Sequence, residues 1–182
     1  MRRNNKSEGF TVIEVALVLA IAGLIFMMIF IALPALRSSQ KDAQRRDDVA
    51  TLLEKVKNYQ TNNRGSLPNG PANENSYVLV KDGNASGNNT SWAGFYRQYL
   101  GTNFYDPDGK PYQLYVINCL NSGSTAKTCK MNYENVSFPN DYKMLVIKQA
   151  QCDGSVAKPT KNPRKIAVIY RLEGSGTFCS NS

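Results

Sequence analysis

The 19 residues from Val15 to Leu33 carry no charged side chain, and the run is entered through Gly9-Phe10-Thr11-Val12-Ile13-Glu14. A stretch of that length and composition reads as a helix able to cross a bilayer. Glu14 sits at its head, and a carboxylate in hydrocarbon costs about 2.5–3.5 kcal/mol on insertion scales. Such a residue is a functional candidate, and its partner should be a positive charge at the start of the segment. A cut between Gly9 and Phe10 would create one, as the new α-amino group of Phe10. A secretory signal peptide has a shorter apolar core followed by a small-residue cleavage site, and Ala32-Leu33-Pro34-Ala35 serves poorly as one. A plain single-span anchor accounts for the hydrophobicity but leaves Glu14 unexplained.

Basic residues do not fix the orientation, because Arg2, Arg3 and Lys6 on one flank face Arg37, Lys41, Arg45 and Arg46 on the other. The cysteines speak more clearly. Cys119, Cys129, Cys152 and Cys179 all lie beyond the apolar run, and an even count in a small domain reads as disulfides in an oxidising compartment. That puts the C-terminal part outside the cytoplasm. Metal binding is the weaker reading, since the chain has no histidine and no CxxC spacing. Of three possible connectivities, Cys119–Cys129 with Cys152–Cys179 is favoured, the first because it closes a short loop around Asn121-Ser122-Gly123-Ser124.

After Pro34 the sequence turns polar but keeps a helical rhythm. Ala43, Val49, Leu52, Leu53, Val56 and Tyr59 recur at three- and four-residue spacing between charged residues. Asn62-Asn63-Arg64-Gly65, with Pro68 beyond, is the stop. One helix from Thr11 to Asn62 would be roughly 78 Å long, apolar all round in its first half and amphipathic in its second, with Gly23 and Pro34 as breakers. Pro34 predicts at least a mild kink. Strands are expected at Tyr112–Asn118, Tyr142–Gln149 and Lys165–Leu172, with a weaker one at Tyr77–Val80. Trp92, Phe95, Tyr96, Tyr99 and Leu100 have the spacing of a short helix laid on the sheet. The expected class is α+β, a long N-terminal helix on a small antiparallel sheet. The segments are 1–9 (leader), 10–36 (membrane half-helix), 37–65 (amphipathic half-helix) and 66–182 (disulfide-bonded sheet domain).

Catalytic chemistry has little to stand on. Without histidine there is no histidine triad, and no carboxylate pair at helical spacing or glycine-rich phosphate loop stands out. No enzymatic activity, cofactor or metal is expected. Asp106-Pro107-Asp108-Gly109 invites a calcium reading, but the further oxygen ligands and distal glutamate of an EF-hand loop do not follow. The four residues read better as a type I turn into the next strand. Tyr96, Tyr99, Tyr105, Tyr112 and Tyr115, among basic residues, could form a stacking groove for single-stranded nucleic acid, though tyrosine in a small sheet is more often core. Asn84, Asn88, Asn89 and Asn135 head N-x-S/T sequons, a weak hint of glycans. The formal charge is +8; the leader holds three basic residues and one acidic, so the remainder carries +6, which permits acidic partners without requiring them.

The basic leader ending in Gly9, then Phe10-Thr11-x-x-Glu14 and an apolar helix, resembles the prepilin signal of type IV pilins. The resemblance implies cleavage after Gly9 by a membrane prepilin peptidase, N-methylation of Phe10, and a charge pair between Glu14 and the Phe10 amine of a neighbouring subunit. It implies identical subunits polymerised into an extracellular filament by an assembly ATPase and a membrane platform, serving adhesion, twitching motility or DNA uptake. It also implies that the Gly23–Pro34 stretch unwinds on leaving lipid, although relatives often place this proline a few residues earlier. The Asp106–Gly109 turn resembles a calcium loop of type II secretion pseudopilins, the runner-up within this family. A different class is a membrane-anchored binding module that never polymerises. Asn162-Pro163-Arg164-Lys165, Tyr170-Arg171-Leu172-Glu173-Gly174 and Cys179 resemble, more loosely, pilins of very small host-attached bacteria, which favours a host-cell surface as partner over DNA.

Overall fold

The computed structural model describes residues 9–70, 77–80, 89–118, 143–173 and 176–182. Helix α1 spans Val12–Asn62, and the chain divides into two units, Met1–Gln40 and Lys41–Ser182. In the first, α1 continues through Gly23 and Pro34 without a break, and its large apolar side chains are exposed, Phe30 at 73%. A helix apolar on every side has no buried face to offer a domain, and this one is long and apolar enough to cross a membrane.

In the second unit, Val49, Leu52, Leu53, Val56 and Tyr59 on α1 are buried. They pack on the sheet in a single cluster with Leu114, Val116, Met144, Val146, Ile166, Val168 and Tyr170. The sheet has the order β1-β2-β3-β6-β7, formed by β1 (Tyr77–Val80), β2 (Gln113–Asn118), β3 (Lys143–Lys148), β6 (Ile166–Arg171) and β7 (Thr177–Asn181). Alternate residues point to opposite faces of a strand. Leu114 and Val116 therefore meet α1, while Ile117, Leu145, Ile147, Ala167 and Ile169 form a second apolar cluster. Ala150 and Ala157 complete that cluster, from the hairpin β4 (Ala150–Asp153) and β5 (Val156–Pro159). A fully buried aliphatic side chain contributes about 1.5–3 kcal/mol, so the α1 stripe is a main source of the unit's stability.

The expected α+β architecture is present, with three refinements. Neighbouring strands pair antiparallel except β2 and β3, which run parallel with Leu114 opposite Met144. A parallel pair needs a crossover connection of a dozen or more residues rather than a tight turn. Strands β4, β5 and β7 were not foreseen. Ala43, expected on the buried stripe, is exposed, and Arg45 is buried instead. The Trp92–Leu100 segment forms helix α2 (Trp92–Phe95), capped by the Ser91 hydroxyl accepting from the Gly94 amide at 3.2 Å, and a π-helical turn over Tyr96–Leu100. Cys152 and Cys179 are joined as expected, tying β4 to β7 across 27 residues of sequence, a closure worth about 3 kcal/mol in loop-entropy terms. The Cys119–Cys129 pairing and the sequons at Asn84, Asn88 and Asn135 lie outside the described residues.

Candidate functional site

Gly9 and Phe10 precede α1 in non-helical backbone, and Phe10 is 91% exposed. The helix opens on Thr11-Val12-Ile13-Glu14, which has the Thr-x-x-Glu spacing of a capping box. The Thr11 amide and hydroxyl each donate to Glu14 Oε2 at 2.9 Å, and the Glu14 amide donates weakly back to Thr11 Oγ1 at 3.4 Å. The carboxylate of a single chain is thus engaged by its own first turn, which satisfies amides that a helix start leaves orphaned. Both bonds run to Oε2, and no described residue bonds Oε1. The capping role is legible in the Thr-x-x-Glu pattern itself. A Cβ built on Gly9 or Gly23 meets nothing within 4 Å, so nothing in the lone chain demands glycine at either position for space.

The second concentration of chemistry lies around Arg45 in the Lys41–Ser182 unit. Arg45 is 4% exposed. Its Nε donates to Asp106 Oδ2 at 2.9 Å and its Nη2 to Asp106 Oδ1 at 3.1 Å, the two-pronged geometry in which a guanidinium matches a carboxylate. Nη1 reaches Asp42 at 3.1 Å, and Nη2 reaches Asp108 Oδ2 at 3.0 Å and Glu173 Oε1 at 3.3 Å. Lys41 pairs with Asp108 and lies 3.5 Å from Glu173. The Tyr170 hydroxyl donates to Asp106 Oδ2 at 2.7 Å, and the Tyr170 ring lies 5.8 Å from the Arg45 guanidinium carbon. Four segments meet here: α1, the Asp106–Gly109 turn, the end of β6, and Glu173 beyond it.

The turn is formed as expected, with the Gly109 amide donating to the Asp106 carbonyl at 2.7 Å and Gly109 at φ +78°. The Asp108 amide adds a bond to Asp106 Oδ1 at 3.0 Å. Burial alone would raise the Asp106 carboxyl, but the Arg45 guanidinium, the Asp108 amide and the Tyr170 hydroxyl together hold it below the ordinary carboxylate range. One turn along α1, Asp48 accepts from the Tyr112 hydroxyl at 2.7 Å, and burial pushes its carboxyl up against that bond. The same burial, with Asp48 beside it, drives the Tyr112 phenol far above its usual value.

The tyrosines considered for nucleic-acid stacking divide. Tyr96 and Tyr112 are buried, Tyr99 and Tyr115 half-buried, and Tyr105 exposed. Tyr99 stacks on Phe95 at 5.4 Å between ring centroids and accepts from the Asn62 side chain. Two of the five are therefore core residues. Among the described residues no cluster of histidine, cysteine, aspartate or glutamate is arranged to hold a metal. Arg45 lies four residues before Val49 and so continues the stripe by helical spacing, but an arginine between polar neighbours on a helix normally lies on the solvated face, and the spacing alone did not announce its burial. Compared with known proteins, the chain matches no family model, no curated protein and no solved structure.

Proposed function

We propose that this chain is a type IV pilin: a subunit held in the membrane by the first half of α1, cut between Gly9 and Phe10, and polymerised into an extracellular filament. The observation that carries the reading is the exposed, uniformly apolar head of α1 with a carboxylate, Glu14, at its entrance and the non-helical Gly9-Phe10 pair just before it. In the filament the apolar half-helices would bundle, and the sheet domains with the Cys152–Cys179 bridge would form the outer surface. The free amine of one Phe10 would meet Glu14 of another copy, removing two charges that are costly to bury apart. The prepilin peptidase, the assembly ATPase and its membrane platform are the partners this requires, and adhesion or surface motility is the use the reading favours. No catalytic role is proposed.

A second reading is a solitary membrane-anchored binding module. It is favoured by one observation, that Thr11 already engages Glu14 within a single chain, as an anchor without neighbours would need. Negative-stain microscopy of sheared surface material, labelled with an antibody to this chain, separates the two. Long labelled fibres support the pilin. Labelled membranes without fibres sink it.

A further inference from the structure

The cations of the Lys41–Ser182 unit fall into two groups. Lys41 and Arg45 are engaged by carboxylates, and Lys158 by Asp153. Beyond the C-terminal end of α1, Arg64, Lys161 and Arg164 are exposed, and their side chains enter no ion pair or hydrogen bond among the described residues. Backbone that is held in place brings them together. Gln60 Nε2 donates to the Arg164 carbonyl at 2.8 Å, tying the loop before β6 to the last turn of α1. Within that loop Asn162 Oδ1 accepts from the Arg164 amide at 3.0 Å, and the Asn162 carbonyl accepts from the Lys165 amide at 3.2 Å. The Arg164 guanidinium lies against Gly65, its Cζ 2.9 Å and its Nη1 3.2 Å from where a Cβ would stand, which sets it beside Arg64.

A cation past a helix C-terminus ordinarily bonds the last carbonyls. Here the Tyr59 carbonyl takes the Asn63 amide and side chain, and the Gln60 carbonyl takes the Gly65 amide. The five N–H donors of Arg164 are left for another molecule. Arg64 stands at φ +56°, a left-handed conformation that favours glycine and asparagine. An exposed arginine held in a strained backbone, with no contact of its own among the described residues to offset the strain, points outward to a ligand.

We infer that this end of the domain binds an acidic polysaccharide, with Arg64, Lys161 and Arg164 engaging successive carboxylate or sulfate groups along it. The planar guanidinium offers paired donors that match two oxygens of such a group. Four of the unit's acids, Asp42, Asp106, Asp108 and Glu173, gather instead around Arg45, roughly 25 Å back along α1 at 1.5 Å per residue. A polyanion is therefore drawn to one end of the unit and not to the other. The aromatics narrow its chemistry. Single-stranded nucleic acids are held by bases stacking on exposed rings. At this end Tyr59 is buried, and Tyr99 is stacked on Phe95 with its hydroxyl taken by Asn62. Charge without stacking fits a sugar chain. The inference deepens the adhesion reading above and rests on this unit facing outward from the membrane, but the binding itself needs no filament.

The test is binding of the full chain in detergent micelles, at physiological ionic strength, to immobilised heparin and to alginate, a polymer of uronic acids. A single-stranded oligothymidylate is the nucleic-acid arm, and Tm is read by circular dichroism for every variant. Wild type should bind a polysaccharide more tightly than the oligonucleotide. Arg64→Ala combined with Arg164→Ala should weaken that binding about tenfold, the size expected of two exposed ion pairs. Arg46→Ala combined with Arg171→Ala removes the same charge from exposed sites away from the patch and should change binding by less than about twofold. Arg64→Gly should weaken binding while leaving Tm unchanged or higher, because glycine accepts the positive φ. Equal losses in the two double variants would overturn the inference by reducing it to net charge. So would no binding to either polysaccharide, or tighter binding to the oligonucleotide. A fall in Tm for Arg64→Gly would make Arg64 a structural residue and overturn its role. A chain that binds as expected yet forms no fibres sinks the pilin reading and leaves this inference standing.

Discussion

The two stretches of α1 treat charge in opposite ways. At its head, Glu14 is exposed and bonded only within its own first turn. In the second stretch, Arg45 is buried and held by residues as far away in sequence as Glu173. The first arrangement is a helix end with a carboxylate oriented but unpaired by any cation among the described residues. The second is a finished junction. A charge meant for another molecule should remain within reach of it, whereas a charge meant to fix a fold is sealed inside.

The largest expected effect breaks the comparison at Glu14. On the pilin reading, Glu14→Ala leaves membrane insertion intact and abolishes filaments, read by fractionation and microscopy. Glu14→Gln keeps an oxygen to cap the helix but loses the charge; normal fibres from it would show that capping, not ion pairing, is what assembly needs. A contrast between apolar positions comes next. Leu52→Ala should cost about 2–5 kcal/mol on denaturant unfolding of the detergent-solubilised chain, because it opens a cavity under the sheet. Leu24→Ala, at an exposed site, should stay within about 0.5 kcal/mol; equal losses would show that the apolar stretch is packed in the lone chain after all.

Acid should act on the junction in a definite direction. The Asp106 carboxyl is held low in the folded state, so its contribution is present above the ordinary aspartate range and lost as pH falls through the folded value. Asp48, held high, has the opposite sign: its contribution is present at low pH and lost as pH rises through its folded value. Asp106 is bonded to Arg45, Tyr170 and the Asp108 amide, and Asp108, Asp42, Lys41 and Glu173 surround the same guanidinium. Asp106→Asn should therefore lower Tm at neutral pH and flatten its decline below about pH 4; an unchanged acid profile would remove Asp106 from this account. The most local effect is expected of Thr11→Val. It removes the hydroxyl cap and should cost the first turn about 1 kcal/mol, visible as faster amide exchange at Glu14.

Much of the fold could be read along the chain because its signals are local. The apolar run, the stop after Asn62 and the β-branched strands each state their structure within a few residues, and α1, β2, β3 and β6 lie within a residue of where the pattern put them. The β4–β5 hairpin was missed although Gly154-Ser155, with Gly154 at φ +64°, is a two-residue turn signal; its flanking strands are too short and polar to show alternation. Strand β7 is half-buried and equally faint. The parallel pairing of β2 with β3 had no sequence signal, because pairing direction depends on the path the chain takes between two strands.

By itself the sequence determined where hydrocarbon-compatible helix gives way to amphipathic helix, that Glu14 would stand at its entrance, and which residues make β1, β2, β3 and β6. Hydrophobic spacing and capping patterns act over one or two turns and need no partner to be legible. Only the tertiary structure decided that Arg45 would be interior, that the Asp-Pro-Asp-Gly turn would close on a guanidinium, and which of the three open pairings Cys152 would take. Those outcomes rest on groups 27 to 128 residues apart in sequence, where charge balance and burial are fixed by what the fold brings together.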